Sequence, residues 1–231
     1  RATLSTQSQL YANHDFGKHH LSGVASFESE AFDNLNVYIW GTDFPSYLKY
    51  ELGNAGNSSG STDVDKTRML SFLVKGDYAY DDRYILGASA RWDGSSRLAP
   101  AHRWGLFWSL SGSWNIGKEK FMKSLEPILS DTRLRLSYGA NGTLPYGYYS
   151  HLSLYSFGYN YNGGTGASES ALGSPNLSWE KNKAFNLGLD FRLFNRVGVT
   201  FDYYNRLTTD LLLYKSISGT TGFSSELQNV G

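Results

Sequence analysis

Between Trp179 and Leu213 the sequence alternates through two long runs with almost nothing between them. In the first, Trp179, Lys181, Lys183, Phe185, Leu187, Leu189, Phe191 and Leu193 share one parity, and Glu180, Asn182, Ala184, Asn186, Gly188, Asp190 and Arg192 the other. After Phe194-Asn195-Arg196 the alternation restarts, with Val197, Val199, Phe201 and Tyr203 opposed to Gly198, Thr200, Asp202 and Tyr204. Side chains on a strand alternate faces, so each run predicts a strand with one apolar and one polar face. A run of about 14 residues at ~3.3 Å each spans roughly 45 Å, whereas soluble strands usually have about 5–6 residues. That span exceeds a hydrocarbon core of about 30 Å even when the strand tilts. The pattern predicts a hairpin that crosses a membrane as part of a β-barrel.

The same alternation recurs along the chain and predicts about eight long strands in all. The first lies near 3–13, with Ser5, Gln7 and Gln9 on its polar face, and the second near 19–29, with Leu21, Ala25 and Phe27 outward. The third, near 66–80, carries Leu70, Phe72, Val74, Gly76, Tyr78 and Tyr80 on one face. The fourth, 83–93, points Tyr84, Leu86, Ala88, Ala90 and Trp92 outward and Arg83, Ser89, Arg91 and Asp93 the other way. The fifth, 103–116, places Trp104, Leu106, Trp108, Leu110, Gly112, Trp114 and Ile116 outward. The sixth, near 131–141, opposes Leu134, Leu136, Tyr138 and Ala140 to Arg133, Arg135 and Ser137. Between the fifth and sixth, Phe121, Leu125 and Ile128-Leu129 sit three or four apart and predict a short amphipathic helix, limited by Pro127.

Connections sort by length. Turns after the first, third, fifth and seventh strands are short or helical. Longer loops are expected near 30–65, 142–178 and 214–231, with an intermediate one near 94–102. The Gly/Asn/Ser stretch 53–61 reads as a flexible loop. Short turns at one end and long loops at the other is the organisation of outer-membrane barrels, and makes the long loops extracellular. Trp104, Trp114, Trp179, Tyr80 and Tyr84 then fit aromatic girdles at the two membrane interfaces.

Composition agrees. Aromatic residues reach 16%, with 25 Gly and no Cys, and no apolar run approaches the length of a membrane helix. Low mean hydropathy is compatible with a membrane barrel because half of each strand faces the lumen. The 21 basic and 21 acidic side chains balance, which gives no electrostatic reason for a nucleic-acid partner. Absence of Cys removes thiol catalysis, disulfides and Cys-based metal sites. No catalytic constellation, metal cluster or cofactor motif is evident. His14, His19, His20, His102 and His151 are scattered, and adjacent His19 and His20 point to opposite faces of a strand. Asp81-Asp82 reads as a turn pair, and Asp93-Gly94 as a structural turn with polar partners on the lumen side.

Three stretches carry a family resemblance. Tyr78-Ala79-Tyr80-Asp81-Asp82-Arg83-Tyr84 leads into Ala90-Arg91-Trp92-Asp93-Gly94-Ser95-Ser96-Arg97. Arg103-Trp104-Gly105-Leu106-Phe107-Trp108-Ser109 leads into Ser113-Trp114. Leu172-Gly173-Ser174-Pro175-Asn176-Leu177-Ser178-Trp179-Glu180 precedes Asn186-Leu187-Gly188-Leu189-Asp190 and Asp202-Tyr203-Tyr204-Asn205. Their order and spacing resemble the barrel of SusC/RagA-type TonB-dependent outer-membrane transporters, over roughly 66–231. The fold expected is all-β: a transmembrane antiparallel β-barrel, with about eight strands of a larger, 22-stranded wall. The resemblance implies a bacterial outer-membrane location, a plug domain, and TonB acting through an N-terminal region absent from this sequence. It also implies a SusD-like surface lipoprotein, an oligosaccharide or peptide cargo, and no enzymatic activity. Eight strands cannot close a lumen of that size, so a fragment or one part of a split barrel is expected.

Cargo contact is expected in the Tyr-rich stretch 145–166, through Tyr146, Tyr148, Tyr149, Tyr155, Phe157, Tyr159, Asn160 and Tyr161. Aromatic rings stack on sugar C–H faces, amides and hydroxyls bond sugar hydroxyls, and Tyr gives contact area at low entropic cost. Packing of these rings on other loops or on the lipoprotein is the alternative. A weaker candidate runs from Tyr38-Ile39-Trp40 to Tyr47. Two rival functions share this pattern: a secreted or surface glycan-binding β-domain, and a siderophore-type TonB-dependent receptor. The second is not supported by any His or carboxylate cluster in the loops.

Overall fold

The computed structural model describes residues 1–45 and 51–231. Among them the strands are β1 (Ala2–Phe16), β2 (His19–Thr42), β3 (Asn57–Tyr80), β4 (Tyr84–Ser95), β5 (Trp104–Trp114), β6 (Leu129–Thr143), β7 (Leu154–Tyr161), β8 (Gly164–Ala171), β9 (Glu180–Leu193), β10 (Val197–Thr209), β11 (Leu211–Ser216) and β12 (Ser225–Val230). Eight of the described strands form one antiparallel sheet in the order β1-β2-β3-β4-β5-β6-β9-β10. The pairs β7–β8 and β11–β12 are separate two-stranded hairpins. Each strand of the large sheet pairs with its sequence neighbour, except that β7–β8 is inserted between β6 and β9.

The register turns the alternation of single strands into two continuous surfaces. Leu21, Tyr78, Leu86, Gly112, Leu136, Leu187 and Tyr203 stand side by side from β2 to β10. One residue along, Ser22, Asp77, Gly87, Ser111, Ser137, Asn186 and Tyr204 form a parallel row on the opposite face. On the apolar face Val74, Leu86, Leu106, Leu110 and Phe201 are all exposed. Burying apolar area is the main favourable term in folding, so a bare apolar wall of this extent requires apolar surroundings. The polar face carries paired charge. Arg91 binds Asp93 through Nε (2.8 Å) and Glu28 through Nη2 (2.7 Å), and Arg135 bridges Asp190 (2.6 Å) and Asp202 (3.0 Å). Among the described residues β1 and β10 each pair with one neighbour only, so the sheet is open at both edges.

At the short-turn end the chain reverses through left-handed residues: Gly17, Asp81-Asp82 and Phe194-Asn195. Such positive φ pairs match the twist of two strands joined by a tight hairpin. Salt bridges cross from turn to turn, Lys18 to Asp81 (3.1 Å), Arg83 to Glu119 (3.6 Å) and Lys118 to Asp82 (3.2 Å).

Several expectations change, and the loops expected at 142–178 and 214–231 contain the β7–β8 and β11–β12 hairpins. The helix expected between the fifth and sixth strands is instead a pair of 3-10 turns, Ile116–Lys118 and Lys120–Met122, followed by further turns. Its amides bond mostly three residues back, as Met122 to Glu119, Leu125 to Met122 and Ile128 to Leu125 do. Pro127 removes a donor before a longer helix can close. Strands β2 and β3 run on through most of the loop expected at 30–65, pairing from His19↔Tyr80 to Thr42↔Asn57. At 24 residues each, they are longer than the about 9–11 residues that span a bilayer. Asp93 and Gly94 lie within β4 rather than in a turn, although Asp93 does have its polar partner, Arg91. The last long strand stops at Asp210, whose φ of +56° redirects the chain into β11.

The buried apolar cluster lies at the long-loop end. Leu98, Leu177 and Trp179 form it, with Met69, Phe107, Leu144, Leu212 and Leu227 against them. Trp179 is therefore not a girdle residue: it is 5% exposed and packs edge-on to Phe107 at 5.1 Å. It precedes the first residue of β9, so the pleat does not set its direction. Pairing of β5 with β6 reaches only to Trp108↔Ala140, and the Phe107 and Trp179 rings pack beside Gly105 and Gly142, where a Cβ would collide with them. The other residues expected in the girdles, Trp104, Trp114, Tyr80 and Tyr84, do lie on the apolar face. Trp104 packs against Trp92 (4.7 Å) at one end and Tyr84 stacks on Trp114 (6.3 Å) at the other.

Candidate functional site

The long-loop end is assembled around the projecting β2–β3 hairpin. The residues at 144–152 fold back onto it. Tyr149 receives the amide of Lys66 on its hydroxyl (2.8 Å) and donates to the carbonyl of Val64 (3.2 Å). Tyr148 stacks on Phe32 at 6.1 Å, and the Arg97 guanidinium lies 4.5 Å from its ring centre. Arg97 also donates to the Pro145 carbonyl (3.4 Å) and its own carbonyl accepts from Nδ1 of His151 (3.2 Å). Burial pushes the His151 imidazole below its ordinary value, with the nearby Arg103 charge acting in the same direction. The Arg91-to-Arg97 motif is thus a bracket. Its first half ties the polar wall together, and its last residue holds the Tyr148 loop.

The stretch 174–180 performs the same service for the β11–β12 hairpin. Backbone and side chain of Ser178 and Asn229 are joined by two hydrogen bonds, and Asn229 Nδ2 also donates to the Asp210 carbonyl (2.9 Å). Glu180 accepts from the Leu212 amide (3.2 Å), and Ser174 donates to Glu226 (3.0 Å).

Between these units lies a cavity of about 550 Å³. Tyr148, Tyr149 and Leu152 line one side, Tyr214, Phe223 and Leu227 the other, and Asp63, Asp65 and Glu226 contribute carboxylates. Among the described residues neither Asp63 nor Asp65 has an ion-pair partner. Volumes of about 300–1,000 Å³ with aromatic walls and a few polar groups suit a small-molecule-sized part of a ligand. The charges are acceptors only, so the cavity suits a ligand presenting N–H or O–H donors.

The residues singled out from sequence are dispersed. Tyr148 and Tyr149 reach the cavity, although both are also engaged in holding the loop. Tyr155, Phe157, Tyr159 and Tyr161 lie along β7 and remain exposed, away from the cavity lining. Asn160 accepts from the Gly163 amide (2.9 Å), so it caps the Asn162-Gly163 turn of that hairpin. Tyr146 is fully exposed. Tyr38, Ile39 and Trp40 stand exposed near the tip of β2, and Tyr47 lies outside the described residues. Tyr214, Phe223 and the aspartates were not legible as site residues, because they are brought together by hairpins that sequence does not order. Among the described residues no group of three or more His, Asp or Glu is arranged to hold a metal ion.

Comparison with known proteins places this geometry. The family described as "TonB dependent receptor-like, beta-barrel" matches residues 1–231. TonB-dependent receptor P3 of Formosa agariphila is 33% identical over 241 aligned positions, covering 100% of this chain and 24% of the relative. TonB-dependent receptor SusC of Bacteroides thetaiotaomicron is 36% identical over 175, covering 72% of the chain and 17% of the relative. Among solved structures, the RagAB peptide importer in its closed-closed state superposes with a TM-score of 0.91 at 30% identity, over 99% of this chain and 26% of that one. The chain spans about a quarter or less of the length of these relatives.

Proposed function

The chain belongs to the TonB dependent receptor-like β-barrel family, and from that premise we propose that it is part of the barrel wall of an outer-membrane importer of large nutrients, peptides or oligosaccharides. The observation that carries this reading is the register. One face of the large sheet is apolar from β2 to β10 and the other is polar and charged, as a wall between lipid and a wet lumen must be. The bare edges of β1 and β10 are tolerable in lipid only if further strands continue the barrel.

In this reading the turns at Gly17, Asp81-Asp82 and Phe194-Asn195 face the periplasm, and the β2–β3, β7–β8 and β11–β12 hairpins face the outside. TonB supplies the energy by acting on a region outside these 231 residues. A SusD-like surface lipoprotein covers the loops. The relation to a peptide importer over nearly the whole chain, and the unpaired negative charge of Asp63 and Asp65 at the cavity, which a peptide's amino groups can neutralise and a neutral glycan cannot, favour peptides. Uptake of defined peptide and oligosaccharide mixtures by a strain deleted for the whole gene tests the proposal. Selective loss of one class is expected, and undiminished uptake of both overturns it.

A further inference from the structure

The segment between β5 and β6 contains exposed apolar side chains that neither the wall nor the cargo site uses. Phe121, Leu125 and Ile128 are 60%, 45% and 52% exposed, and Phe194 in the neighbouring turn is 62% exposed. The two pieces are joined, since the Phe194 amide donates to the Ile128 carbonyl (2.9 Å). Their position is fixed by Glu119, which accepts from the hydroxyl of Tyr84 (2.6 Å) and from Nε1 of Trp114 (3.1 Å). Tyr84 and Trp114 stand on the apolar face at the short-turn end, and Glu119 meets them there. The other end of the segment enters β6 at Leu129, opposite Leu193 on that same face. Lys120, Lys123 and Arg196 lie among the apolar residues, exposed, with no ion-pair partner among the described residues; Glu126 is the one unpaired acid of the segment.

We propose that this segment and the Phe194 turn form an interfacial pad lying in the headgroup layer of the leaflet at the short-turn end. Phe121, Leu125, Ile128 and Phe194 enter the upper acyl region, and Lys120, Lys123 and Arg196 bind the phosphates of anionic phospholipid. Two features of the pad select a phospholipid headgroup. The pad continues the lipid-facing wall, and its unpaired charge is mainly positive. Apolar residues interleaved with Lys and Arg, at an interface marked by Trp and Tyr, is the arrangement that seats a segment in the membrane plane. A 3-10 path serves this purpose, because exposed turns leave backbone groups free to bond water and headgroups at this depth.

The inference rests on the membrane-barrel reading, and its test separates the two. This chain has no Cys, so single labels can be placed by Phe121→Cys, Ile128→Cys and Leu187→Cys in the full-length protein, cleared of any other Cys, in nanodiscs. A fluorophore at Leu187 should be quenched by lipids brominated deep in the acyl chain. Fluorophores at Phe121 and Ile128 should be quenched by lipids brominated near the headgroup and little by deep ones. The parent protein should retain phosphatidylglycerol through purification, and the triple variant Lys120→Glu, Lys123→Glu, Arg196→Glu should lose it. If no lipid quencher reaches Leu187, the barrel reading fails. If Leu187 is quenched while Phe121 and Ile128 answer only to a water-soluble quencher, or to none, the pad alone is overturned. Absence of phosphatidylglycerol from the purified parent, or unchanged retention by the triple variant, overturns the phosphate contacts.

Discussion

Ser178 and Asn229 exchange two hydrogen bonds: the Ser178 amide donates to Oδ1 of Asn229 (2.8 Å), and Nδ2 of Asn229 donates to the Ser178 carbonyl (3.0 Å). One side chain thereby completes the backbone of the stretch that precedes β9 as a paired strand would. Through its third bond, to the Asp210 carbonyl, it also fixes the bend between β10 and β11.

Asn229→Ala should therefore release the β11–β12 hairpin without disturbing the wall. It leaves a donor and two acceptors in a half-buried place, each worth on the order of 1 kcal/mol net. Hydrogen exchange read by mass spectrometry should rise at Leu211–Ser216 and Ser225–Val230 and stay unchanged in β9. Equal protection in the variant would mean that the apolar contacts of Leu212 and Leu227 hold the hairpin alone.

What sequence shows and what it hides follow from where each residue's surroundings come from. The parities of Leu86, Leu136 and Leu187 are legible because lipid and lumen impose opposite demands on neighbouring residues, and the register then aligns them. Beyond the bilayer that contrast vanishes. Asn34, Asn36, Ser59 and Ser61 pair in β2–β3 through backbone bonds with water on both sides, so the stretch reads as loop although it is strand. Trp179 misleads for a related reason: it lies in the same alternating run as β9 but one residue before its ladder begins. The cavity was half legible. An aromatic-rich stretch announces itself, but Tyr214 and Phe223 join Tyr149 only because Asp210 turns the chain.

Leu187→Arg tests the wall. Leu187 sits between Leu136 and Tyr203 on the apolar face, and Asn186 between Ser137 and Tyr204 on the polar one. An arginine facing lipid near the midplane should cost roughly 2–4 kcal/mol, while Asn186→Arg should change stability little. Urea titration of folding into lipid vesicles measures both. Similar costs at the two positions would refute the assignment of faces.

Two tryptophans with similar sequence settings should behave differently. Trp179→Ala removes a buried ring and its hydrogen bond to the Arg103 carbonyl (3.0 Å), a loss of roughly 3–5 kcal/mol. Trp104 is 43% exposed on the apolar face, so Trp104→Ala should destabilise less. The temperature at which heat-modifiable gel migration is lost, compared across the two variants, checks the order.

Cargo binding should separate from loop integrity. Tyr214 is 74% exposed and among the described residues bonds no other side chain, so Tyr214→Ser should weaken cargo binding with unchanged thermal stability. Tyr149→Phe should instead raise exchange of the Lys66 amide by removing its acceptor. If Asp63→Asn with Asp65→Asn weakens binding of peptides carrying Lys or a free amine and spares neutral ones, the carboxylates read charge. Isothermal titration of the full-length protein with matched peptides gives these affinities.

Burial depresses the His151 imidazole, so the unfolded loop binds a proton more readily than the folded one. Stability of the loop is then complete above the ordinary His value of about 6.5 and declines as pH falls below it toward the lower folded value. Protonation of the ring is favoured by the Nδ1 bond to the Arg97 carbonyl, but desolvation and repulsion from Arg103 outweigh that bond. Exchange across 96–103 and 145–152, corrected for its intrinsic pH dependence, should increase from pH 7.5 to pH 5. His151→Gln can still donate to that carbonyl and carries no titrating group, so in that variant the increase should disappear. An increase of the same size in His151→Gln would assign the pH response to other groups.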